Sequence, residues 1–196
     1  MRVIAGKYRS RVLKGPGVLK LRPTSDRLRE TFFNVLGPAI ESSLFIDAFA
    51  GTGAMGIEAL SRGASEAIFL ESYGKAVQLI QRNLESLEIR NAELIHADVI
   101  AGLEKIATRR VVADFIFVDP PYEKTQEYGR VLDFLDGSDL IAPRGVVIVE
   151  HYFKTTLPMR FDRLERVRVL EQGDASMSFF RLAAAAWPQR ILLRRV

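Results

Sequence analysis

The stretch IDAFAGTGAMGIEAL, residues 46–60, decides the fold. It opens inside LFIDAF, a short apolar run of the kind that forms a buried strand. It closes inside GAMGIEALSRG, a helical segment that Gly63 ends. Between them lie Gly51, Gly53 and Gly56, a G-x-G-x-x-G spacing. Glycines at a strand-to-helix turn let the backbone approach a ligand closely. An acid at the end of the next strand can take ribose hydroxyls. Glu71 is that acid, 20 residues beyond Gly51, at the end of AIFLES.

The spacing alone admits a nicotinamide dinucleotide or S-adenosylmethionine. Asp47, just before the glycines, favours the second. A carboxylate there repels a pyrophosphate, whereas the ammonium group of S-adenosylmethionine suits it. Asp98 ends a third strand, IHAD, and can accept from an adenine amino group or cap the following helix. The expected cofactor contacts are Asp47, Gly51, Gly53, Glu71 and Asp98, with Phe49 and Val99 placed beside them.

Outward from this stretch, strands and helices alternate. GKAVQLIQRNLESLEI is amphipathic, with Val77, Ile80, Leu84 and Leu87 on one face. VIAGLEKIA and QEYGRVLDFLDG are further helices. VVADFIFVD and GVVIVEH are the fourth and fifth strands, and RFDRLERVRVLEQG and SMSFFRLA form a terminal hairpin around Gly173-Asp174. This order predicts a mostly parallel sheet closed by an antiparallel strand. Upstream, Pro23 to Asp26 are turn and cap residues. Leu28, Phe32, Val35 and Leu36 then keep helical spacing as far as Gly37-Pro38. The expected division is a basic hairpin extension over residues 1–21, a main domain over 22–182 and a tail over 183–196 with no readable role.

With 196 residues, 48% hydrophobic and 27% charged, the chain can bury one full core. It has no cysteine, which excludes disulfides and thiolate metal sites and suits a reducing, cytoplasmic setting. No apolar run is long enough to span a bilayer. The N-terminus lacks the apolar region of a signal peptide, so none is expected. His96 and His151 stand apart in apolar strands, and no metal site is expected. The net charge of +4 is uneven. Residues 1–30 carry nine basic and two acidic side chains, +7, which leaves −3 for the rest. A basic arm on an acidic body suits a polyanion, and the candidate RNA contacts are Arg2, Lys7, Arg9, Arg11, Arg22 and Arg27.

The fourth strand runs into Asp119-Pro120-Pro121-Tyr122. Two prolines remove two donors and fix two φ angles, a rigid corner rich in acceptors. An exocyclic amine on a base is a poor nucleophile because the ring draws in its lone pair. The Asp119 carboxylate and the Pro120 carbonyl can each accept an N–H from it and favour a tetrahedral nitrogen. Tyr122 can stack on a base turned out of its helix. These four residues are the expected catalytic set.

Together, RVIAGKYRSRVL, RPTSDRLRETFFNVL, DAFAGTGAMGIEALSRGA and FVDPPY resemble the RsmD family of bacterial 16S rRNA guanine-N2 methyltransferases, the guanine(966)-N(2) type, over residues 1–182. The resemblance implies a Rossmann-like, class I S-adenosylmethionine-dependent α/β fold with a seven-stranded, mostly parallel sheet and a small N-terminal β-hairpin. It also implies methylation of a guanine in the small ribosomal subunit, by a monomer, in the cytoplasm. Arg22, Thr24, Arg27 and Glu30 match the family's RPT-DR-RE segment, which implies a place near substrate or cofactor. Two alternatives stay open: a DNA adenine-N6 methyltransferase, and a non-catalytic RNA-binding assembly factor on the same fold.

Overall fold

A computed structural model describes residues 1–15, 17 and 24–183. Arg22 and all but the first residue of the 183–196 tail lie outside the described residues. In chain order the elements are α1 (Asp26–Leu36), a 3-10 turn (Gly37–Ile40), β1 (Leu44–Asp47), α2 (Ala54–Ser61), β2 (Glu66–Glu71), α3 (Gly74–Ser86), β3 (Ala92–His96), α4 (Val99–Ala107), β4 (Ala113–Val118), α5 (Gln126–Asp136), β5 (Ile141–Tyr152), β6 (Leu164–Gln172) and β7 (Ala175–Leu182). The sheet order is β3-β2-β1-β4-β5-β7-β6. β1 to β5 are parallel, and β7 pairs antiparallel with both β5 and β6.

Strand periodicity divides the core. Phe45, Phe69, Phe115, Phe117 and Ile148 face one side, with Phe32 and Phe33 of α1, Ile57 of α2 and Ile80 of α3. Ile46, Ile68, Ile116, Val118 and Val149 face the other, with Leu103 of α4 and Val131 of α5. Because both faces are covered, the parallel strands are apolar at nearly every position rather than alternating. The order reverses between β1 and β4, so a crevice opens there at the strands' carboxyl ends.

The N-terminal arm differs from a separate hairpin. Among its described residues the pairing is one isolated bridge, Arg2 to Val12, with Val3 N–H donating to Arg11 and Leu13 N–H to Met1. Val3 and Leu13 are buried in the same cluster as α1 and α2, so the arm belongs to the core. Glu58 of α2 accepts from the Ile4 and Ala5 amides at 2.8 and 3.0 Å. At Gly6, φ is +79° and a Cβ would lie 1.8 Å from the Ser61 carbonyl, so only glycine fits against α2. Asn83, fully buried on α3, holds the Lys14 backbone on both sides and also donates to the Thr52 carbonyl in the glycine turn. The buried stripe of α3 is Ala76, Leu79, Ile80, Asn83 and Leu84, with Val77 at its margin.

Arg29 changes the charge argument for the arm. It is fully buried, donates to the Arg2 carbonyl at 2.6 Å and to Asp26 at 3.0 Å, and lies 3.8 Å from Glu58. That cation holds the arm to α1 and α2 and is not available to a polyanion.

Candidate active site

A cavity of about 550 Å³ lies at the carboxyl ends of the parallel strands. That size suits a ligand of cofactor dimensions. Asp47, Glu71, Asp98, Asp119 and Glu150, one acid from the end of each of five parallel strands, all line it. Phe49, Gly51, Val99, Pro120, Pro121 and Tyr122 line it too. Gly53 does not. With φ +78° it is the left-handed cap that turns the chain into α2. Gly56 packs helix on sheet, because a Cβ there would lie 2.3 Å from the Phe69 ring.

The acids near the glycine turn hold backbone. Asp47 is 2% exposed and accepts from Gly56 N–H at 3.1 Å. Burial pushes its carboxyl up to about 7; the Gly56 N–H draws it partly back, and the Glu71 charge adds to the rise. Glu71 accepts from Gly51 N–H at 2.8 Å and from Tyr73 N–H at 2.7 Å, fastening the turn to β2. Each of its oxygens keeps a second acceptor site for a hydroxyl. Asp98 caps α4 through Ile100 N–H at 3.1 Å, and Arg130 lies 3.6 Å away. The cap reading of Asp98 thus holds together with its place in the cavity wall. Arg130 is held by Glu127 at 2.8 and 3.0 Å.

At the other end of the cavity, Pro120 and Pro121 carry no N–H, so neither of these two residues can cap the Asp119 carboxylate. The Tyr122 ring lies 6.1 Å from that of Tyr152, which meets Phe153 at 4.8 Å. Thr24 and Ser25, just before α1, close this side, with Thr24 Oγ1 3.5 Å from Glu150 Oε2. Glu150 was not among the sequence candidates, yet VVIVE ends on an acid as FIFVD does.

The donor set tests which cofactor fits. Among the described lining residues eight are acids and one, Lys124, is basic. Such a wall disfavours a pyrophosphate and suits the ammonium and ribose hydroxyls of S-adenosylmethionine. A Cβ at Gly51 would meet only the Phe49 carbonyl oxygen, at 3.9 Å, so the turn is loosely packed on its cavity side. Both ring nitrogens of His151 are engaged, with the Tyr152 carbonyl at 3.0 Å and the Ser178 hydroxyl at 2.9 Å. His96 meets the Ser72 carbonyl at 3.1 Å.

The RNA candidates separate. Arg2, Arg9 and Arg27 border a cleft of about 380 Å³ between the arm and α1, together with Asp26 and Glu30. Lys7 lies over the Tyr8 ring at 5.1 Å. Arg11 reaches back to the Ser86 carbonyl at 3.3 Å.

Residues 1–181 match the model of the family described as conserved hypothetical protein 95. The chain belongs to this family, the RsmD family. The Ribosomal RNA small subunit methyltransferase D of Escherichia coli (strain K12) is 35% identical over 158 residues, 81% of this chain and 78% of that one. YlbH of Bacillus subtilis (strain 168), named as a candidate rRNA methyltransferase, is 34% identical over 182 residues, 92% of this chain and 98% of its own. The solved structure of the Escherichia coli candidate methyltransferase yhhF superposes with a TM-score of 0.80 at 31% identity, covering 93% of this chain and 97% of that one. A candidate methyltransferase solved with SAH, at 12% identity and TM-score 0.67 over 82% of this chain and 50% of its own, shares the fold alone. As the sequence implied, the fold is an α/β methyltransferase fold with a seven-stranded, mostly parallel sheet.

Proposed function

We propose that this protein, as a monomer in the cytoplasm, transfers a methyl group from S-adenosylmethionine to the exocyclic N2 amine of a guanine in 16S rRNA, presented by the small ribosomal subunit. The observation that carries this reading is that the glycine turn and the Asp119–Tyr122 corner open onto one cavity. Its small-subunit rRNA assignment draws on the relatives named for that activity.

S-adenosylmethionine supplies an electrophilic methyl on a sulfonium. Asp47 would offer a carboxylate to its ammonium, Glu71 would offer acceptors to its ribose, and Asp98 and Val99 would take its adenine. Asp119 and the Pro120 carbonyl each accept an N–H of the target amine, which localises the nitrogen lone pair and aims it at the methyl carbon. Bound there, the donor would supply its methyl to that nitrogen, the C–S electron pair leaving with sulfur as the C–N bond forms. The nitrogen then sheds its surplus proton to Asp119 or to water. Tyr122 stacks on the extruded base, and Tyr152 and Phe153 extend the aromatic surface outward. The arm and α1 share a basic cleft, and the start of α1 borders the cavity, so one path joins phosphate contacts to the target base.

The test is to incubate the purified protein with methyl-labelled cofactor and, separately, small-subunit particles, naked 16S rRNA and DNA, then digest to nucleosides. Label on N2-methylguanosine from rRNA is expected. Label on N6-methyladenosine in DNA contradicts the reading, and so does no label on any substrate.

A further inference from the structure

Tyr152, the last residue of β5, pairs with Ala175, and the N–H of Phe153 just beyond it donates to the Asp174 carbonyl at 3.0 Å. Asp174 and Ala175 both line the cavity, so Phe153 stands at its rim. The rings of Tyr122, Tyr152 and Phe153 form a row, with successive centroids 6.1 and 4.8 Å apart. We propose that Phe153 stacks on the nucleobase next to the target guanine and that Lys154 meets a phosphate of that neighbouring nucleotide. The proposal rests on the rRNA-methylation reading above and extends it from the target base to its neighbour.

Three observations support it. Phe153 is 45% exposed, and Tyr73 is the only other exposed aromatic side chain among the described residues. A scattered apolar side chain on a surface is ordinary, but this one ends a row that begins inside the cavity. Its backbone is also pinned. Besides the bond to Asp174, Thr155 N–H donates to the Tyr152 carbonyl at 2.8 Å and closes the turn that carries the ring. A ring on a fixed turn loses little freedom when a base covers it. Cations flank the row as well. Lys124, two residues after Tyr122, lines the cavity, and Lys154 Nζ lies 5.4 Å from the centre of the Phe153 ring. Aromatic faces for bases, with cations beside them for phosphates, are what single-stranded nucleic acid binds.

The chemistry of the target step selects the occupant. Turning a guanine out of its stack strips its neighbour of a stacking partner. A phenyl ring at the mouth of the cavity replaces the partner that was lost. The flexible stem of Lys154 lets its ammonium leave the ring for a phosphate as the base arrives. An apolar peptide would cover the ring but give the ammonium no anion.

The experiment compares wild type with Phe153→Ala, Phe153→Leu and Phe153→Trp, using methyl-labelled cofactor and whichever of 16S rRNA or small-subunit particles takes up label. Half-saturating RNA and saturated rate are read separately. Phe153→Ala should raise the half-saturating concentration about tenfold, with a much smaller change in saturated rate and cofactor affinity within a few-fold. Phe153→Trp should restore RNA affinity. Phe153→Leu, apolar but without a π face, should not. Lys154→Ala should lower the slope of log affinity against log salt by about one, and Phe153→Ala should leave that slope unchanged. In a synthetic rRNA fragment around the labelled guanine, an abasic site on one side of the target should weaken wild-type binding about tenfold and cost Phe153→Ala nothing further. Wild-type affinity in Phe153→Ala overturns the assignment, as do full rescue by Phe153→Leu and equal abasic penalties in the two proteins. An unaltered salt slope in Lys154→Ala overturns the phosphate contact. Each of these results leaves the methylation reading standing, whereas no wild-type label on any RNA overturns that reading and this assignment with it.

Discussion

The two ends of the cavity use acids in opposite ways. At the glycine turn, Asp47, Glu71 and Asp98 each accept backbone N–H groups, from Gly56, from Gly51 and Tyr73, and from Ile100. These carboxylates organise the chain and border the ligand at once. At the β4–β5 end, Asp119 is followed by two prolines, neither of which has a backbone N–H to offer it. In the proposed function, one end holds the cofactor while fastening its own loops, and the other offers acceptors to the donors of the target base. Substitutions at the first end should alter affinity and stability, and substitutions at the second should alter rate.

The largest effect should come from Asp119→Ala. Loss of one preorganised acceptor costs about 10²–10³ in rate. The fold should be retained. Single-turnover rates and a thermal melt check both. Tyr122→Ala comes next. Base stacking is worth roughly 1–3 kcal/mol, so RNA capture should weaken by about tenfold or more. Tyr122→Phe should retain most activity, and a phenylalanine variant as poor as alanine would assign the role to the hydroxyl.

Asp47 sharpens the contrast through pH. Its folded carboxyl is raised to about 7 from an ordinary value of 3.8. The unfolded chain therefore ionises first as pH rises, and cofactor-free stability from this group falls between about pH 4 and pH 7. The loss is on the order of a few kcal/mol. Asp47→Asn keeps an acceptor for Gly56 and removes that loss. Chemical denaturation should find it more stable than wild type at pH 8, with the gap closing near pH 4, while cofactor binding weakens. Equal stability at both pH values would mean the carboxyl is not held neutral by burial. The smallest effect belongs to the arm. Lys7→Ala and Arg9→Ala should each lower the slope of log RNA affinity against log salt by about one for every phosphate the cation had neutralised. Methylation at saturating RNA should be unchanged, and an unaltered slope would show that these two cations do not touch phosphate.

Much of this is legible in the chain. Strand-end acids follow from apolar runs that stop on Asp or Glu, and the glycine spacing places the crevice. Glu150 obeys the same rule but carries no motif to single it out. Residue type misleads at Arg29 and Asn83. Arg29 lies three, four and seven positions from Phe32, Phe33 and Leu36, on the apolar stripe of α1, and Asn83 lies beside Ile80 and Leu84 on that of α3. Periodicity marks both as buried; their polarity suggests surface. The charge of the arm suggests an appendage, although Val3, Leu13 and Gly6 are the residues of a docked segment. Nothing in a terminal hairpin's sequence says which of its strands joins the sheet. The insertion of β7 between β5 and β6 is a tertiary choice.

The most direct test of the divided cavity is a crossed measurement on two variants, Asp119→Ala and Glu71→Ala. Cofactor affinity is taken by calorimetry, and the single-turnover rate is taken at saturating cofactor and RNA. Asp119→Ala should bind cofactor within a few-fold of wild type and lose about 10²–10³ in rate. Glu71→Ala should lose about tenfold or more in affinity, since charge-assisted hydrogen bonds are worth roughly 1.5–3 kcal/mol, and should recover most of its rate once saturated. The account is contradicted if Asp119→Ala loses cofactor as Glu71→Ala does, or if its saturated rate stays near that of wild type.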